Sequence, residues 1–398
     1  MNRVTATSIR EAWLQAMRQT QSSLARTQMQ VSTGERFSRP AEDPVAATRV
    51  LELNRSLESN AQLIRNGQLA RNRLSLEESV LVQVADSMDR LRELALQANN
   101  DSQTNETRAA IAKEARQHLE ALLQFGNAQD GNGQYLFSGY ASRTRPFSQS
   151  AGGVVYDGDD GVRQLQIGPD RRIADSDAGS ELFMRIRNGN GTFVVDAGAG
   201  NTGTGVVGDY SVTDPTAYDA DTYTITFTSA TAYEVRDSAN VLVTSGAYTT
   251  GQSIAFAGVQ VQLSGAPAAG DTYTAAPSQN QAMFRTVQNF IDALEGGVSG
   301  EVSRAELHNS LNRVVHDMDQ VLARVVETRS GVGSRLAAIE TQTAVNTDLE
   351  VELKTLISDL KDLDYAEALS RLEQQLTSLE AAQKSYALMQ NASLFNYL

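Results

Sequence analysis

The sequence predicts an α+β protein in which both ends of the chain form a long coiled-coil-like helical rod, with a β-rich domain inserted at its distal end. Apolar residues recur every three or four positions on either side of the middle of the chain, as along helices that pack together. From Asp130 to about Pro277 the chain is instead rich in Gly, Thr, Asp and Tyr. There Tyr223, Ile225 and Phe227 alternate with threonines, which predicts a half-buried strand. Because the β-rich stretch lies between two helical regions, it is predicted to be an insertion at the tip of a helical hairpin.

The amino-terminal segment, residues 5–32, carries a weakly apolar helical stripe. Its members are Ile9, Trp13, Ala16, Thr20, Leu24, Thr27 and Val31. Such a helix is marginal alone, because helices in proteins depend on the packing of their apolar face. Gly34 interrupts the pattern, and Pro40 and Pro44 exclude a continuous helix through the following linker.

A second helical region begins at Asp43 and Pro44, which suit an N-cap followed by proline at the first helical position. The pattern predicts a long helix to about Asn99 and another over residues 106–128. After the β-rich stretch, a short amphipathic helix is predicted over residues 279–296.

Further strands are predicted in the β-rich stretch at Val241–Val243 and Ile254–Leu263. Residues 188–208 are rich in glycine, which is typical of a mobile loop.

The carboxy-terminal part has the most regular repeat. Leucines spaced by three and four residues form a heptad seam with one slip: Leu349, Leu353, Leu356, Leu360 and Leu363, then Leu369, Leu372, Leu376 and Leu379. The first register extends back to Leu307, so a continuous helix to Leu363 would be on the order of 85 Å long. Its expected weak point is Gly331-Val332-Gly333.

The two ends of the chain suit each other as partners. Residues 1–40 have a net charge of +4 and residues 340–398 one of −6. The breaks at Gly34 and near Asp364 lie equally far from their termini, so two helices of matched length would pair beyond a shared hinge. We expect three parts: terminal helices at 1–33 and 366–398, a rod at 34–140 and 278–365, and a β-rich domain at 141–277.

The composition excludes several functions. A net charge of −14 disfavours nucleic acid as a partner, since phosphate binding needs a basic surface. The chain has no cysteine, which excludes disulfides, thiolate metal sites and cysteine nucleophiles. We expect no cleavable signal peptide and no membrane span, because no apolar run has the required length.

No residues have the spacing of a catalytic or metal site. His118, His308 and His316 lie on predicted helices and share no metal-ligand spacing. The acidic segment 157–161 lacks the alternating ligands and closing glutamate of an EF-hand, so it predicts a turn between strands. Phosphate-binding loops and nucleophile motifs are absent from the sequence. We therefore predict neither an enzyme nor a cofactor.

Four motifs resemble those of one protein family. Residues 34–47, GERFSRPAEDPVAA, resemble the G-x-R-x-x-x-P-x-D-D-P-V-A-A signature of flagellins and hook-associated proteins, with Glu42 where aspartate is usual. Residues 134–139, QYLFSG, are similar to the start of the family's variable domain, and residues 265–273, GAPAAGDTY, to its end in hook-associated proteins. Residues 393–398, SLFNYL, resemble the ending of the hook–filament junction branch, hook-associated protein 3.

The resemblance implies a non-enzymatic structural component of the bacterial flagellum that joins hook to filament and nucleates filament growth. It implies a ring of about eleven copies of the chain. The implied partners are the first hook-associated protein on the hook side, flagellin on the filament side and an export chaperone on the carboxy-terminal helix. It also implies an extracellular location, reached by type III export without a cleaved signal peptide.

The expected assembly surface combines apolar residues of both terminal helices. These are Ile9, Trp13, Leu24, Leu369, Leu372, Leu376, Leu379, Tyr386, Leu394, Phe395, Tyr397 and Leu398. The linker motif comprises Gly34, Arg36, Pro40, Asp43 and Pro44. Two alternatives stay open: a flagellin filament subunit, which the ending and the Gly-Asp-Thr-Tyr motif disfavour, and a secreted adhesin or glycan-binding protein that uses loops of the β-rich domain.

Overall fold

The structure is a computed structural model, and it describes residues 6–391. Its helices are α1 (Ala6–Thr33), α2 (Pro44–Ala98), α3 (Asn105–Gly126), α4 (Met283–Glu295), α5 (Glu301–Lys361) and α6 (Tyr365–Asn391). A π-helical turn covers Ser180–Met184. Helices before and after a β-rich middle confirm the predicted α+β class.

The strands all lie between α3 and α4. They are β1 (Phe147–Ser150), β2 (Gly153–Tyr156), β3 (Gln164–Gln166), β4 (Arg172–Ala174), β5 (Ile186–Arg187), β6 (Phe193–Ala197), β7 (Val206–Val212), β8 (Tyr223–Ser229), β9 (Ala232–Arg236), β10 (Leu242–Ala247), β11 (Ser253–Phe256), β12 (Val259–Ser264), β13 (Thr272–Pro277) and β14 (Asn280–Gln281).

The chain divides into two compact units. The terminal unit comprises Met1–Arg65 with Gln342–Leu398, and the central unit comprises Asn66–Thr341. The division falls within α2 and within α5, the two longest helices. α5 continues through Gly331 and Gly333 without interruption, so the expected weak point is helical.

The larger sheet of the central unit has five antiparallel strands in the order β10-β9-β8-β13-β6, and a second sheet has the order β11-β12-β7. The predicted alternation is confirmed in β8, where Tyr223, Ile225 and Phe227 are buried and the threonines between them are not. These three residues belong to one apolar cluster with β13 and the second sheet.

Two predictions in the β-rich stretch were wrong. Residues 254–263 are a hairpin of β11 and β12, not one strand. Residues 188–208 are not a loop throughout, since they contain β6 and the start of β7. The glycines there form an ordered turn: Gly189 and Gly191 have positive φ angles of 64° and 86°, and the Gly189 N–H donates to Asp317 Oδ1 at 2.7 Å.

A second apolar cluster of the central unit surrounds Phe147 on β1. Its ring centroid lies 5.2 Å from that of Tyr156, 5.3 Å from Phe183 and 5.2 Å from Phe284. The ring also fills the space at Gly126, where a Cβ would lie 2.8 Å from Phe147 Cδ2. β1, β2, α3 and α4 therefore meet at one side chain.

Replacing Phe147 with alanine is expected to lower the free energy of unfolding of the central unit by about 3–5 kcal/mol, because a fully buried ring leaves a cavity. Urea denaturation followed by near-ultraviolet circular dichroism of tyrosine measures this. Gln149→Ala on the same strand is the matched control, since Gln149 is exposed and its loss should cost under about 0.5 kcal/mol. An unchanged urea midpoint for Phe147→Ala would show that the ring is not the centre of this core.

Candidate assembly interface

Helices α1 and α6 pack against each other within the terminal unit. Each contributes one row of buried or half-buried side chains at spacings of three and four. The row on α1 is Met17, Thr20, Leu24, Thr27 and Val31; the row on α6 is Ala368, Leu372, Gln375, Leu379, Ala382 and Tyr386. This is the two-helix seam expected of a heptad pattern.

The α1 row tolerates threonine because its hydroxyls bond within the helix. Thr20 Oγ1 donates to Ala16 O at 3.0 Å, and Thr27 Oγ1 donates to Ser23 O at 3.1 Å. Internal bonding leaves no hydroxyl of these two residues unsatisfied in the seam. The row remains less apolar than the one on α6, so α1 depends on α6 for its stability.

Only half of the predicted leucine seam lies between the two helices. Leu372 and Leu379 are half-buried, whereas Leu369 and Leu376 remain 48% and 42% exposed. When two helices pair, each buries one row of its side chains against the other, and the neighbouring row of side chains stays exposed. On α1, Met17 takes the position predicted for Ala16, which is exposed.

The leucines at the carboxy-terminal end of α5 likewise divide into buried and exposed members. Leu353 and Leu363 are both 7% exposed, and Leu360 is half-buried. Leu349 and Leu356 are 40% and 41% exposed. The terminal unit thus has two exposed leucine pairs, Leu349 with Leu356 and Leu369 with Leu376, each spaced seven positions apart. We call these four residues the open leucine row.

Other predicted assembly residues are only partly described. Trp13 lies on α1 with 36% of its surface exposed, and Ile9 lies in the same helix with its side chain outside the described residues. Leu394, Phe395, Tyr397 and Leu398 lie outside the described residues.

The linker after α1 is hydrogen-bonded to the end of α5. The Arg36 N–H donates to Lys361 O at 2.7 Å, and the Leu363 N–H donates to Gly34 O at 2.9 Å. Lys361 Nζ and Glu35 Oε1 form an ion pair at 2.7 Å. The breaks in the two helical patterns therefore lie side by side, as the matched lengths of the terminal segments predicted.

The remaining linker residues fix the start of α2. Asp43 Oδ1 accepts from the Ala46 N–H at 3.0 Å and so caps the helix, with Pro44 at its first position. Asp43 Oδ2 also pairs with Arg36 Nη2 at 3.4 Å. Pro40 lies in the turn before this cap. The motif is thus explained by folding rather than by a ligand.

Gly34 has a φ angle of 74°, and a Cβ on it would lie 2.8 Å from the Tyr365 hydroxyl oxygen. Gly34→Ala is expected to destabilise the terminal unit by about 1–2 kcal/mol, the cost of a left-handed conformation for an alanine. Thermal unfolding followed by fluorescence of Trp13, the one tryptophan in the sequence, measures this.

Gly331→Ala is the matched control for that substitution. Gly331 lies within α5 with open space at its Cβ position, so alanine should stabilise the helix by up to about 1 kcal/mol. Because Gly331 lies in the central unit, far-ultraviolet circular dichroism is used to follow the unfolding temperature of both variants. A shift in the same direction for both would disprove the strain at Gly34.

The motifs that bound the β-rich stretch have structural roles as well. Asp271 is 1% exposed and accepts hydrogen bonds from the N–H groups of Thr202, Gly203 and Ala268 at 2.8, 3.0 and 2.8 Å. At the other boundary, Leu136 and Phe137 are fully buried.

The predicted turn at residues 157–161 is held by its own carboxylates. Asp159 Oδ1 accepts from the Tyr140 and Gly161 N–H groups at 2.8 and 2.7 Å, and these bonds lower its pKa. The three histidines contact separate groups, with His118 near Ser87 and His308 near Asn99. In the part of the chain that the structure describes, no group of three or more His, Asp or Glu could hold a metal ion.

The chain matches three family regions. Residues 6–142 match the bacterial flagellin N-terminal helical region, residues 197–277 the D2-like domain of flagellar hook-associated protein 1, and residues 315–398 the bacterial flagellin C-terminal helical region. The crystal structure of Xanthomonas campestris FlgL is 36% identical, with a TM-score of 0.73 over 77% of this chain and 99% of that chain. The chain belongs to the FlgL family.

Two further members of the FlgL family are similar over most of their length. The flagellar junction protein FlgL from Legionella pneumophila is 31% identical, with a TM-score of 0.72 over 79% of this chain and 100% of that chain. Flagellar hook-associated protein 3 of Salmonella typhimurium is 24% identical over 367 residues, which are 92% of this chain and 90% of the relative. Among the described residues, no helix combines the length and hydropathy of a membrane span.

Several residues of the α1–α6 seam could not be predicted from the sequence. Met17, Gln375 and Ala382 lie in the seam, but only the three-dimensional pairing distinguishes them from their neighbours. All four residues of the open leucine row were predicted as members of the heptad seam. The sequence could not show which seam leucines pack against a helix of the same chain and which stay exposed.

Proposed function

We propose that this protein is a structural component of the flagellar junction between hook and filament, where it supports filament growth. The open leucine row of the terminal unit carries the proposal. Four large apolar side chains that are 40% to 48% exposed, in a chain of the FlgL family, are a surface that assembly would cover. The observation favours a subunit that packs laterally over a freely soluble enzyme or binding module.

In this proposal residues 1–33 and 366–398 form the assembly-dependent layer. The weakly apolar α1 packs on α6 in the single chain and gains further stability when neighbouring copies cover the pair, so assembly adds to the stability of this layer. The copies close into a ring of about eleven, as head-to-tail contacts between identical subunits allow. Hook-side contacts go to the first hook-associated protein, and filament-side contacts go to flagellin.

The proposed route of export also involves the carboxy-terminal helix. The chain leaves the cell unfolded through the flagellar type III apparatus, without a cleaved signal peptide. A chaperone covers the apolar stripe from Leu369 onward until export. Rings of this kind need no catalytic site, and the functional residues are those of the seam, the open leucine row and the linker motif.

Deletion of the gene in its native host tests the proposal. We expect cells that build hooks, lack filaments and release flagellin into the medium, as electron microscopy and immunoblotting of the medium would show. Complementation with the intact gene should restore the filaments. Intact filaments in the deletion strain would refute a junction role, and filament loss without secreted flagellin would point to a defect in export instead.

A further inference from the structure

The central unit contains a cluster of charged side chains that the assembly interface does not use. Its acids are Glu77, Asp130, Asp175 and Asp177, and its bases are Arg73, Arg163 and Arg335. Glu77 and Asp175 are 0% exposed, and the Arg73 side chain is 5% exposed. The cluster joins α2, α5, the segment after α3 and the segment between β4 and the π-helical turn.

Each arginine of the cluster has a carboxylate of its own. Arg73 Nη1 lies 2.9 Å from Asp130 Oδ2, and Arg163 Nη2 lies 2.6 Å from Asp175 Oδ2. Arg335 pairs with Asp177. Three bases thus balance three acids, and Glu77 is the fourth acid.

Among the described residues of this cluster, no base is left over to balance the charge of Glu77. The adjacent Glu78 and Arg329 form a separate pair at 2.9 Å. An ionised Glu77 would therefore leave one negative charge uncompensated in the interior, which is strongly unfavourable. A protonated Glu77 would make the cluster neutral.

Hydrogen bonding leads to the same assignment. Glu77 Oε1 accepts from the Asp177 N–H at 3.1 Å, whereas Glu77 Oε2 is buried without a hydrogen-bond partner among the described residues. An ionised carboxylate can only accept, so an ionised Glu77 would bury a charged oxygen that receives no donor. A proton on Glu77 removes that charge from the interior.

We propose that Glu77 keeps its proton in the folded chain, and that this buried carboxyl is a pH-sensitive latch that holds α2 to the segment before the π-helical turn. Loss of the proton leaves an uncompensated negative charge in the interior and loosens the central unit. Folding of this unit therefore takes up a proton near neutral pH.

The direction of the pH dependence follows from the environment of Glu77. Burial and the charge of Asp177 raise its pKa well above the ordinary value of 4.5, and Arg335 opposes them only in part. Below about pH 4.5 the carboxyl is protonated in both folded and unfolded chains and has no effect. Above that pH only the folded chain keeps the proton, so stability falls until the pKa of the folded state is passed.

Urea denaturation of the full chain between about pH 5 and pH 8 tests the latch. Relative to Glu77→Gln, whose amide keeps a donor without a titrating proton, the wild-type folding constant should fall by up to about tenfold per pH unit. Every other ionisable group is present in both proteins, so its contribution cancels in this comparison. Equal pH slopes for the two proteins would overturn the proposal.

Glu78→Gln is the matched control, because it removes the neighbouring carboxyl and its pair with Arg329. This variant should have a lower free energy of unfolding by the same amount at every pH tested. The pH dependence of its stability should match that of the wild type. Carbon-13 nuclear magnetic resonance of glutamate carboxyls in the wild-type chain gives a second readout that requires no variant to fold. One glutamate should keep its proton at neutral pH, and a spectrum in which every glutamate is ionised would disprove a protonated Glu77.

Discussion

Replacing Leu369 and Leu376 with lysine is expected to abolish incorporation into the flagellum while the monomer stays folded. Both side chains are more than two-fifths exposed, so the monomer should lose less than about 1 kcal/mol. The lysines also lie four residues before Glu373 and Glu380, which keeps the helix surface favourable. In an assembled interface, by contrast, two buried ammonium groups without partners would prevent packing.

Two measurements separate these effects. Circular dichroism and Trp13 fluorescence of the purified variant report folding of the terminal unit, and motility with electron microscopy of a complemented deletion strain reports assembly. Ser370→Lys with Thr377→Lys is the matched control, since it adds the same charges one residue further along α6 at exposed positions. Normal filaments with the leucine variant would remove the open leucine row from the interface.

The fold was predictable where local chemistry and packing agree. Asp43 and Pro44 predicted the start of α2. An N-cap carboxylate followed by proline accepts hydrogen bonds from the first backbone N–H groups of a helix, and this needs no contact with the rest of the chain. The alternation around Ile225 predicted β8, because a sheet with one buried face needs a period of two. The equal distances of Gly34 and Asp364 from the termini predicted the hinge that the backbone hydrogen bonds form.

The candidate site was predictable only in part. A leucine repeat shows that a helix packs, but it does not show which of two adjacent stripes faces the same chain, and Leu369 and Leu376 lie on the open one. Glu77 was not singled out either, because a glutamate on a helix is usually on a solvated face. Its burial depends on Asp177 and Arg335, which are distant in sequence.

Deleting residues 369–398 is expected to abolish assembly and to unfold α1 while the central unit stays intact. The α1 seam contains Thr20 and Thr27, so without α6 it buries too little apolar surface to remain helical in water. The central unit has its own two apolar clusters and uses no residue beyond 341 for them. Tyrosine circular dichroism should therefore show its urea midpoint unchanged, whereas Trp13 emission should shift to that of an unfolded chain.

A point variant separates the loss of pairing from the loss of chain length. Leu372→Gln with Leu379→Gln keeps every residue of α6 but removes the two leucines of its seam, so α1 should melt as it does in the truncated chain. The open leucine row stays complete in this variant. Assembly that recovers at high protein concentration would then mean that neighbouring copies can replace α6 as the support of α1. A truncated chain that still builds filaments would contradict the assembly role of the carboxy-terminal helix altogether.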